Sequence, residues 1–502
     1  MYTTRWKIDP LKNSASPRMH WAVDTVIDLM KQSGVKIPRQ KRYLRELRDH
    51  IKVILCNLIS ADGTGLDIWI TFLKGHDYNN GGTSPTGFRF TTSYLNKVTD
   101  FLAEQGYIEL KPGWTQEYDG GDAEVSKMRA TPKLKGIHEV DPQAIFRDTF
   151  PVVIKGTKQL RIVRDRHGKP MKDERGRVRK IWKRDRCIVK DTRRVWEIKA
   201  NLEVINRVLR DARIELDVDL HTLDQLNYQL AQDPDEHVRP IDFSHKQLYR
   251  VFLDRSYDVH GRFYGPWHVN LPEEYRDKIL INGTPVKEFD FKAYHPSMLY
   301  CMENEPIPEN IYHLQGYPDD PDGHWRKFIK QILLISINSK DDKATVMALS
   351  KDWTKRRVRA KKLGLPVPVP PVPIKFPQIM GLINKLRKRH EPVQHYFDDP
   401  GIGNRLMHYD SEIAERVMLH FARKGIPSLP VHYSFLVPLT SADECRWVMQ
   451  EEFEKMFEQT IAIDGSFERG VLNAMGRMPA LDRSPEWDRL ESEITYLSKV
   501  DD

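Results

Sequence analysis

The chain has 502 residues, 40% of them hydrophobic and 30% charged, and a net charge of +8. At roughly 100–200 residues per domain this length supports two to four cores, and the composition is that of a soluble globular protein. No apolar run reaches the about 18 residues of a membrane span, and the opening "MYTTRWKIDPLKNSASPRMHW" lacks an apolar signal core, so a cytoplasmic location without membrane contact is expected. Cys56, Cys187, Cys301 and Cys445 form no CxxC pair, which argues against a structural zinc and a disulfide framework and predicts reduced thiols.

Residues 18–60 read as two helices, with Val23, Val26, Ile27 and Met30 at helical spacing. In "FTTSYLNKVTDFLAEQGYIELKPGW", Thr91, Thr92 or Ser93 can cap a helix that shows Leu95, Val98, Phe101 and Leu102 on one face. Gly106 ends that helix before the strand "YIEL", and "DGGDAEVSKMRATPKL" returns as a second strand. Helix, strand, long loop, strand is the order of a winged helix, which serves protein contacts as often as DNA contacts.

Between Lys155 and Arg186 there are 14 Lys/Arg and 4 Asp/Glu, a local balance of +10, so the rest of the chain sums to −2. A plain solvated hairpin and a polyanion clamp both fit that composition; in the second case Arg175, Arg177 and Arg179 are the candidate phosphate ligands. A long helix is predicted around "RVWEIKANLEVINRVLRDARI", and residues from about Asp242 onward read as α/β. The run "LPVPVPPVPIKFP" at 365–377 favours extended polyproline geometry and links two basic helical stretches.

Four motifs occupy this second half. "YDVHGRFYGPW" carries Asp258, Gly261 and Arg262: the glycine lets backbone approach a ligand closely, and the arginine can fork onto phosphate. In "VKEFDFKAYHPSMLYC", Val286, Phe289 and Phe291 predict a strand with Asp290 near its end, and Pro296 lies in the first turn of a following helix. A carboxylate there suits a hard divalent cation, although an ordinary strand-end carboxylate reads the same way. "HWRKFIKQILLISINSKD" sets Arg326 and Lys330 four residues apart on one helix face, where they repel until a triphosphate arrives. "LMHYDSEIAERVMLHFARKGIPS" and "LPVHYSFLVP" form a helix and a hairpin with His432 at its tip, followed by the amphipathic helix "SADECRWVMQEEFEKMFEQ".

In this order the motifs resemble the polymerase core shared by bacteriophage-type single-subunit RNA polymerases and A-family DNA polymerases, over about residues 245–460. "DVHGR" resembles the DxxGR element, "FDFKAYHPSML" motif A, "RKFIK" with its helix motif B, and "VHYSF" motif C. The resemblance implies a right-hand palm and fingers core; it does not cover the first 240 residues, which read from their own pattern as an N-terminal helical, winged-helix-like domain and a basic connector, so the whole is expected to be α/β (α+β). The chain then divides into residues 1–150 (helical and winged-helix-like), 151–240 (basic hairpin and helical connector), 241–480 (palm and fingers core) and 481–502 (tail).

The implied activity is template-dependent nucleotidyl transfer to a 3′-hydroxyl, with Mg2+ or Mn2+ as cofactor and template, primer or product strand and nucleoside triphosphates as partners. Asp290 would hold the metal, and Arg326, Lys330, His295 and Asn338 the nucleotide. Asp258, Gly261 and Arg262 would hold the template and product hybrid, and His432 the primer terminus. Two departures bear on the substrate. "INSKD" ends motif B where the family has an aromatic followed by glycine, and His295 stands where A-family DNA polymerases carry a sugar-gating glutamate, which leaves dNTP or NTP open.

The third departure bears on catalysis. Tyr433 occupies the place of the motif C aspartate, and a neutral phenol with a reference pKa of about 10 is a poor magnesium ligand. Three explanations compete: a polymerase impaired by loss of one ligand, which the retained His432, Ser434, Arg326 and Lys330 favour; a binding protein derived from a polymerase; or rescue by another carboxylate such as Asp410 or Glu412. Counted along its helix, Asp410 is expected ~20 Å from the hairpin end. A transcriptional regulator built on the N-terminal unit would leave the second half unexplained.

Overall fold

The structure, a computed structural model, describes residues 4–74, 88–113, 125–164, 169–173, 176–233, 238–318 and 323–465. It is a mixed α/β protein. In chain order the elements are β1 (Thr4–Lys7), β2 (Lys12–Asn13), α1 (Pro17–Gln32), α2 (Lys41–Asp62), β3 (Ile68–Phe72), α3 (Thr92–Glu104), β4 (Ile108–Lys111), β5 (Ser126–Ala130), α4 (Pro132–Lys135) and β6 (Phe146–Arg147). Then come β7 (Val152–Lys155), β8 (Gln159–Ile162), β9 (Lys180–Lys183), β10 (Arg186–Cys187), α5 (Arg193–Asp211), β11 (Ile214–Leu216), α6 (Leu220–Ala231), β12 (Tyr249–Phe252), β13 (His260–Tyr264), β14 (Ile279–Ile281) and β15 (Thr284–Phe291). The remainder is α7 (Tyr294–Met302), α8 (His324–Ile337), α9 (Asp342–Lys362), α10 (Phe376–Arg389), α11 (Ile402–Ala422), β16 (Leu429–Val431), β17 (Ser434–Pro438), α12 (Ala442–Phe457) and β18 (Ile463–Asp464).

These elements form two compact units, residues 1–150 with 206–248 and 265–286, and residues 151–205 with 249–264 and 287–502. In the first, the Ser16 hydroxyl accepts from the Arg18 N–H and Pro17 sits in the first turn, which starts α1 where the sequence predicts a helix. α1 buries Met19, Val23, Val26, Ile27 and Met30. The helices pack with a sheet of order β1-β3-β5-β4, in which β1 runs parallel to β3 and the other pairs are antiparallel. β3 is buried along its whole length, and Gly106, at φ 72°, turns the chain from α3 into β4.

In the second unit, a sheet of order β10-β7-β12-β13 lies against α11, and α11 packs on α12. From Lys287 onward β15 neighbours β17 of the hairpin and pairs with β18. What joins β12 and β13 to α11 is a charge in the core. Arg250 of β12 is fully buried; its Nη2 reaches Glu412 Oε1 and Ser411 Oγ, each at 2.9 Å, and its Nη1 lies 3.1 Å from Glu415 Oε1. The rings of Phe252 and Phe263 flank the guanidinium at 4.9 and 5.0 Å. Burial pushes the Glu415 carboxyl above its ordinary value, whereas at Glu412 the charges of Arg250 and Arg194 outweigh burial and hold it below.

Residues 363–375, most of the proline-rich run, form neither helix nor strand. Cys56, Cys301 and Cys445 are buried, Cys187 is half-buried, and all four are unpaired thiols. Among the described residues no helix is long and apolar enough to cross a membrane.

Removing one partner from a buried ion pair leaves the other charge uncompensated. Arg250→Met is therefore expected to cost about 3–5 kcal/mol in urea unfolding, with Glu415→Gln in the same chain recovering part of it. A loss no larger than that of an ordinary surface substitution would show that the guanidinium does not organise this unit.

Candidate functional site

The strand read from "VKEFDF" is β15, with Asp290 its penultimate residue, and α7 follows with Pro296 in its first turn. Between them Ala293 adopts φ 48°, a left-handed conformation unusual for a residue with a side chain. The hairpin tip repeats the device: His432, exposed between β16 and β17, has φ 57°. The two strained residues aim their successors at each other, and the rings of Tyr294 and Tyr433 lie 5.9 Å apart, with His295 6.4 Å from Tyr433.

These side chains border one cavity of about 150 Å³. Arg262, Phe291, Ala293, Tyr294, His295, Tyr312, Lys330, Leu334, Asn338, Met407 and Tyr433 line it, so residues from all four motifs converge there. Arg326 and Lys330 share a face of α8 as their spacing predicts, and both stand over the ring of Tyr312, at 5.2 and 5.8 Å. Asn338 ends α8 and donates to the Leu334 carbonyl at 2.8 Å; α11 can lie beside it because residue 403 is glycine, whose missing Cβ would collide with the Asn338 amide. Burial pushes the phenols of Tyr294 and Tyr312 up, so both are neutral walls at physiological pH.

Arg262 is engaged within the protein. Its Nε donates to Asp410 Oδ2 at 3.0 Å, its Nη2 also binds that carboxylate, and His295 Nε2 lies 2.9 Å from the same oxygen. Arg262 Nη2 and His295 Nε2 are 3.1 Å apart. We assign the Nε2–H tautomer to His295, because it then donates to Asp410, to which Arg262 also donates. Burial alone would raise the Asp410 carboxyl, but Arg262 and His295 outweigh it and hold it below the ordinary value. The same carboxylate raises Arg262 against the effect of burial.

The expected ~20 Å separation of Asp410 from the hairpin is overturned. Asp410 bonds His295, which borders the same cavity as Tyr433. α11 begins at Ile402, so Asp410 lies within the helix and not at its start, and Gly425, at φ 70°, turns the chain back so that β16 returns along α11. Proximity does not make Asp410 a substitute ligand, since its oxygens already serve Arg262 and His295; Glu412 likewise serves Arg250 and Arg194.

Gly261, at φ 87°, permits a close approach, but to this protein's own side chains. A Cβ there would meet Ser411 Oγ at 2.8 Å and Arg250 Nη2 at 2.9 Å. Asp258 is exposed in the preceding turn, its N–H bonded to Ser256 Oγ at 3.1 Å. On the same face of β15 as Asp290 stands Glu288, which accepts from the Ser434 hydroxyl. Directly across from Asp290 is Asp464 of β18, an exposed residue whose carboxylate lies 3.6 Å from Lys292 Nζ.

The basic segment is an antiparallel arm of β8 and β9, extended by bridges Arg164↔Pro170 and Lys172↔Val178. Arg177 and Arg179 are exposed on it; Arg175 lies outside the described residues. Part of its charge is balanced locally, by Arg177–Asp173 at 3.1 Å, Arg161–Asp185 and Arg184–Asp254.

Chemically the cavity offers cations and neutral phenols to an anionic ligand. Tyr312, Tyr294 and Met407 had no part in the sequence reading. Tyr294 stands within "FDFKAYHPSML" beside His295, whereas Tyr312 and Met407 carry no pattern that marks them. Among the described residues no three His, Cys, Asp or Glu side chains gather as a metal-binding group. No protein-family model matches the chain, and no curated protein matches it.

Because Asp410 lies below its ordinary 3.8 when folded, its ionisation stabilises the fold above that pH, and the contribution is lost as pH falls through the lower folded-state value. Asp410→Asn is expected to lower the thermal midpoint near neutral pH and to flatten the acid limb of the stability curve below about pH 4. Superimposable acid limbs in parent and variant would remove the Arg262–Asp410 pair from the account.

Proposed function

We propose that the chain is built as a template-dependent nucleic-acid polymerase of the A-family or phage type, and that Tyr433 leaves its nucleotidyl-transfer site impaired. The observation that carries this reading is the convergence of Arg262, His295, Lys330, Asn338 and Tyr433, drawn from all four motifs, on one cavity. In this reading the second unit is the palm and fingers core. The first has the β3, α3, β4, β5 order, with β5 between β3 and β4, of a winged helix.

Arg326 and Lys330 receive the triphosphate, where two cations held over one ring meet the charge that grows on the leaving group. Asn338 and His295 border the nucleotide, and Asp410 fixes both Arg262 and His295 where they face the cavity. His432 at the hairpin tip adjoins the primer terminus. Magnesium or manganese would supply activation of the 3′-hydroxyl and neutralisation of the leaving pyrophosphate. The residues present do not fit a two-metal site, because position 433 carries a phenol where a second carboxylate is required and Asp290 is not among the residues that line the cavity with it. No metal-dependent step is therefore assigned to the chain with Tyr433.

A second reading, a non-catalytic nucleic-acid-binding protein on the same fold, is favoured by one observation. The Tyr433 ring is packed beside Tyr294 and His295, in the place a ligand carboxylate would occupy.

Primer extension with Tyr433→Asp beside the parent chain separates the two, in magnesium and in manganese, with DNA and RNA templates, dNTPs and NTPs, and Asp290→Ala added to the variant as control. Nucleotide addition is expected from Tyr433→Asp alone, at a stability cost of about 1 kcal/mol from the lost ring contacts. A folded, template-binding Tyr433→Asp chain that adds no nucleotide under any of these conditions would sink the polymerase reading. In the active background, Lys330→Ala is expected to slow nucleotide addition more than it weakens template binding; equal losses would make Lys330 structural. Charge reversal of Arg177 and Arg179 is expected to lower the salt dependence of nucleic-acid binding by about two counterions. An unchanged slope would return the arm to plain surface.

A further inference from the structure

Position 433 carries a hydroxyl that packing alone does not require. A phenylalanine there would lie as well beside the rings of Tyr294 and His295, 5.9 and 6.4 Å away. The hairpin tip is a loop of two residues, His432 and Tyr433, closed by the Val431↔Ser434 pair, and Ser434 Oγ donates to the Val431 carbonyl at 3.0 Å across it. With β17 buried along its length and His432 in the left-handed region, Tyr433 is left little freedom. Its side chain is half-buried and borders the cavity together with Arg262 and Lys330. A nucleophile held in this way has its orientation settled before a substrate arrives.

The surroundings of the hydroxyl suit phosphoryl transfer. Burial would lower the Arg262 guanidinium, but Asp410 first, and the Tyr264 and Tyr433 phenols after it, hold it above its ordinary value, so the Tyr433 oxygen lies within reach of that cation. Arg262 binds Asp410 through Nε and Nη2, and a guanidinium carries five N–H donors in all, so it can also donate to the non-bridging oxygens of a phosphate. Lys330 Nζ stands over the Tyr312 ring at 5.8 Å. An ammonium can give a proton to a departing oxygen, which a guanidinium cannot. The cavity, about 150 Å³, has room for the phosphate group of a strand that runs past its mouth.

We propose that Tyr433 is a nucleophile that opens a phosphodiester of a nucleic-acid strand and holds one end of it as a phosphotyrosine. The bond from Tyr433 Oη to phosphorus forms as one P–O ester bond of the strand breaks. The phenol proton passes to water, and the departing 3′ or 5′ oxygen takes a proton from Lys330, which recovers one from water. Nothing is oxidised or reduced, and one phosphoester bond replaces another, so the reverse step reseals the strand. The inference rests on the polymerase reading only in placing a phosphate group in this cavity, and it needs neither template nor incoming nucleotide.

The test uses the p-nitrophenyl ester of thymidine 5′-phosphate, whose nitrophenolate leaves without an acid and which demands no target sequence, in excess over the full chain. A burst of about one nitrophenolate per chain is expected, with one thymidylyl group added to the intact mass and located on Tyr433 by peptide mass spectrometry. Tyr433→Phe keeps the ring and is expected to melt near the parent temperature with no burst and no adduct. Lys330→Ala is expected to lose more of the covalent capture of a single-stranded DNA library of randomised sequence, where the departing oxygen needs a proton, than of the burst. No burst from the parent chain, an adduct elsewhere than Tyr433, or an equal burst from Tyr433→Phe would overturn the proposal, and equal losses in Lys330→Ala would overturn the role given to Lys330. Melting of the parent with inorganic pyrophosphate keeps the two readings apart. Stabilisation by pyrophosphate without a burst would sink this inference and leave the cavity a phosphate site, whereas neither effect would remove the phosphate site of the polymerase reading as well.

Discussion

A guanidinium with no access to water fixes the second unit. Arg250 projects from β12, passes the backbone of β13 at Gly261, whose carbonyl accepts from its Nε at 2.8 Å, and ends among Ser411, Glu412 and Glu415 on α11. Burying such a charge is costly unless it is paired with opposite charge, so few placements of β12 and β13 against α11 accommodate it. That explains the glycine of the DxxGR stretch from inside the protein: any side chain at 261 would occupy the space the guanidinium crosses.

The next residue along the strand extends the same constraint to the cavity. Arg262 reaches Asp410, one residue before the Arg250 partners, and through it His295 on α7. α11 therefore positions β13 and the start of α7 with one acidic stretch. The left-handed Ala293 and His432, a conformation that costs such residues of the order of 1–3 kcal/mol, then bring Tyr294 and Tyr433 together, their rings 5.9 Å apart and tilted by 56°. Backbone strain of this kind persists where surrounding packing over-determines it, and here β15, α7 and the hairpin are each buried on their apolar sides.

Local pattern made much of this legible in the sequence. The periodic apolar residues of α1, the turn at Gly106, the strand before Asp290 and the hairpin around His432 all depend on neighbours a few positions away. The pairing of Arg262 with Asp410 spans 148 residues and that of Arg250 with Ser411 spans 161, and no spacing rule reaches so far. For the same reason Asp410 and Glu412 of α11 read as possible substitute metal ligands and not as the anchors of two arginines. Tyr312 escaped because a tyrosine under two cations looks, in sequence, like any other tyrosine. The +10 of the basic arm already counts Asp173 and Asp185, which pair with Arg177 and Arg161; what the count could not include is Asp254, which takes Arg184 from outside the segment.

The identity of residue 433 decides which ligand the cavity suits. The Arg262–Asp410 pair is internally neutral, and Tyr294 and Tyr312 are held as phenols by burial, so the charge that faces a ligand comes chiefly from Lys330, with Arg326 beside it. With a phenol at the hairpin tip, that balance favours a phosphate group and offers a divalent cation little to offset the loss of its water shell. An aspartate at the same position would bring an anion into the cavity that Lys330 also lines. In the proposed polymerase reading, binding and catalysis thus place opposite demands on this single position, and the tyrosine suits the first while withholding what the second requires.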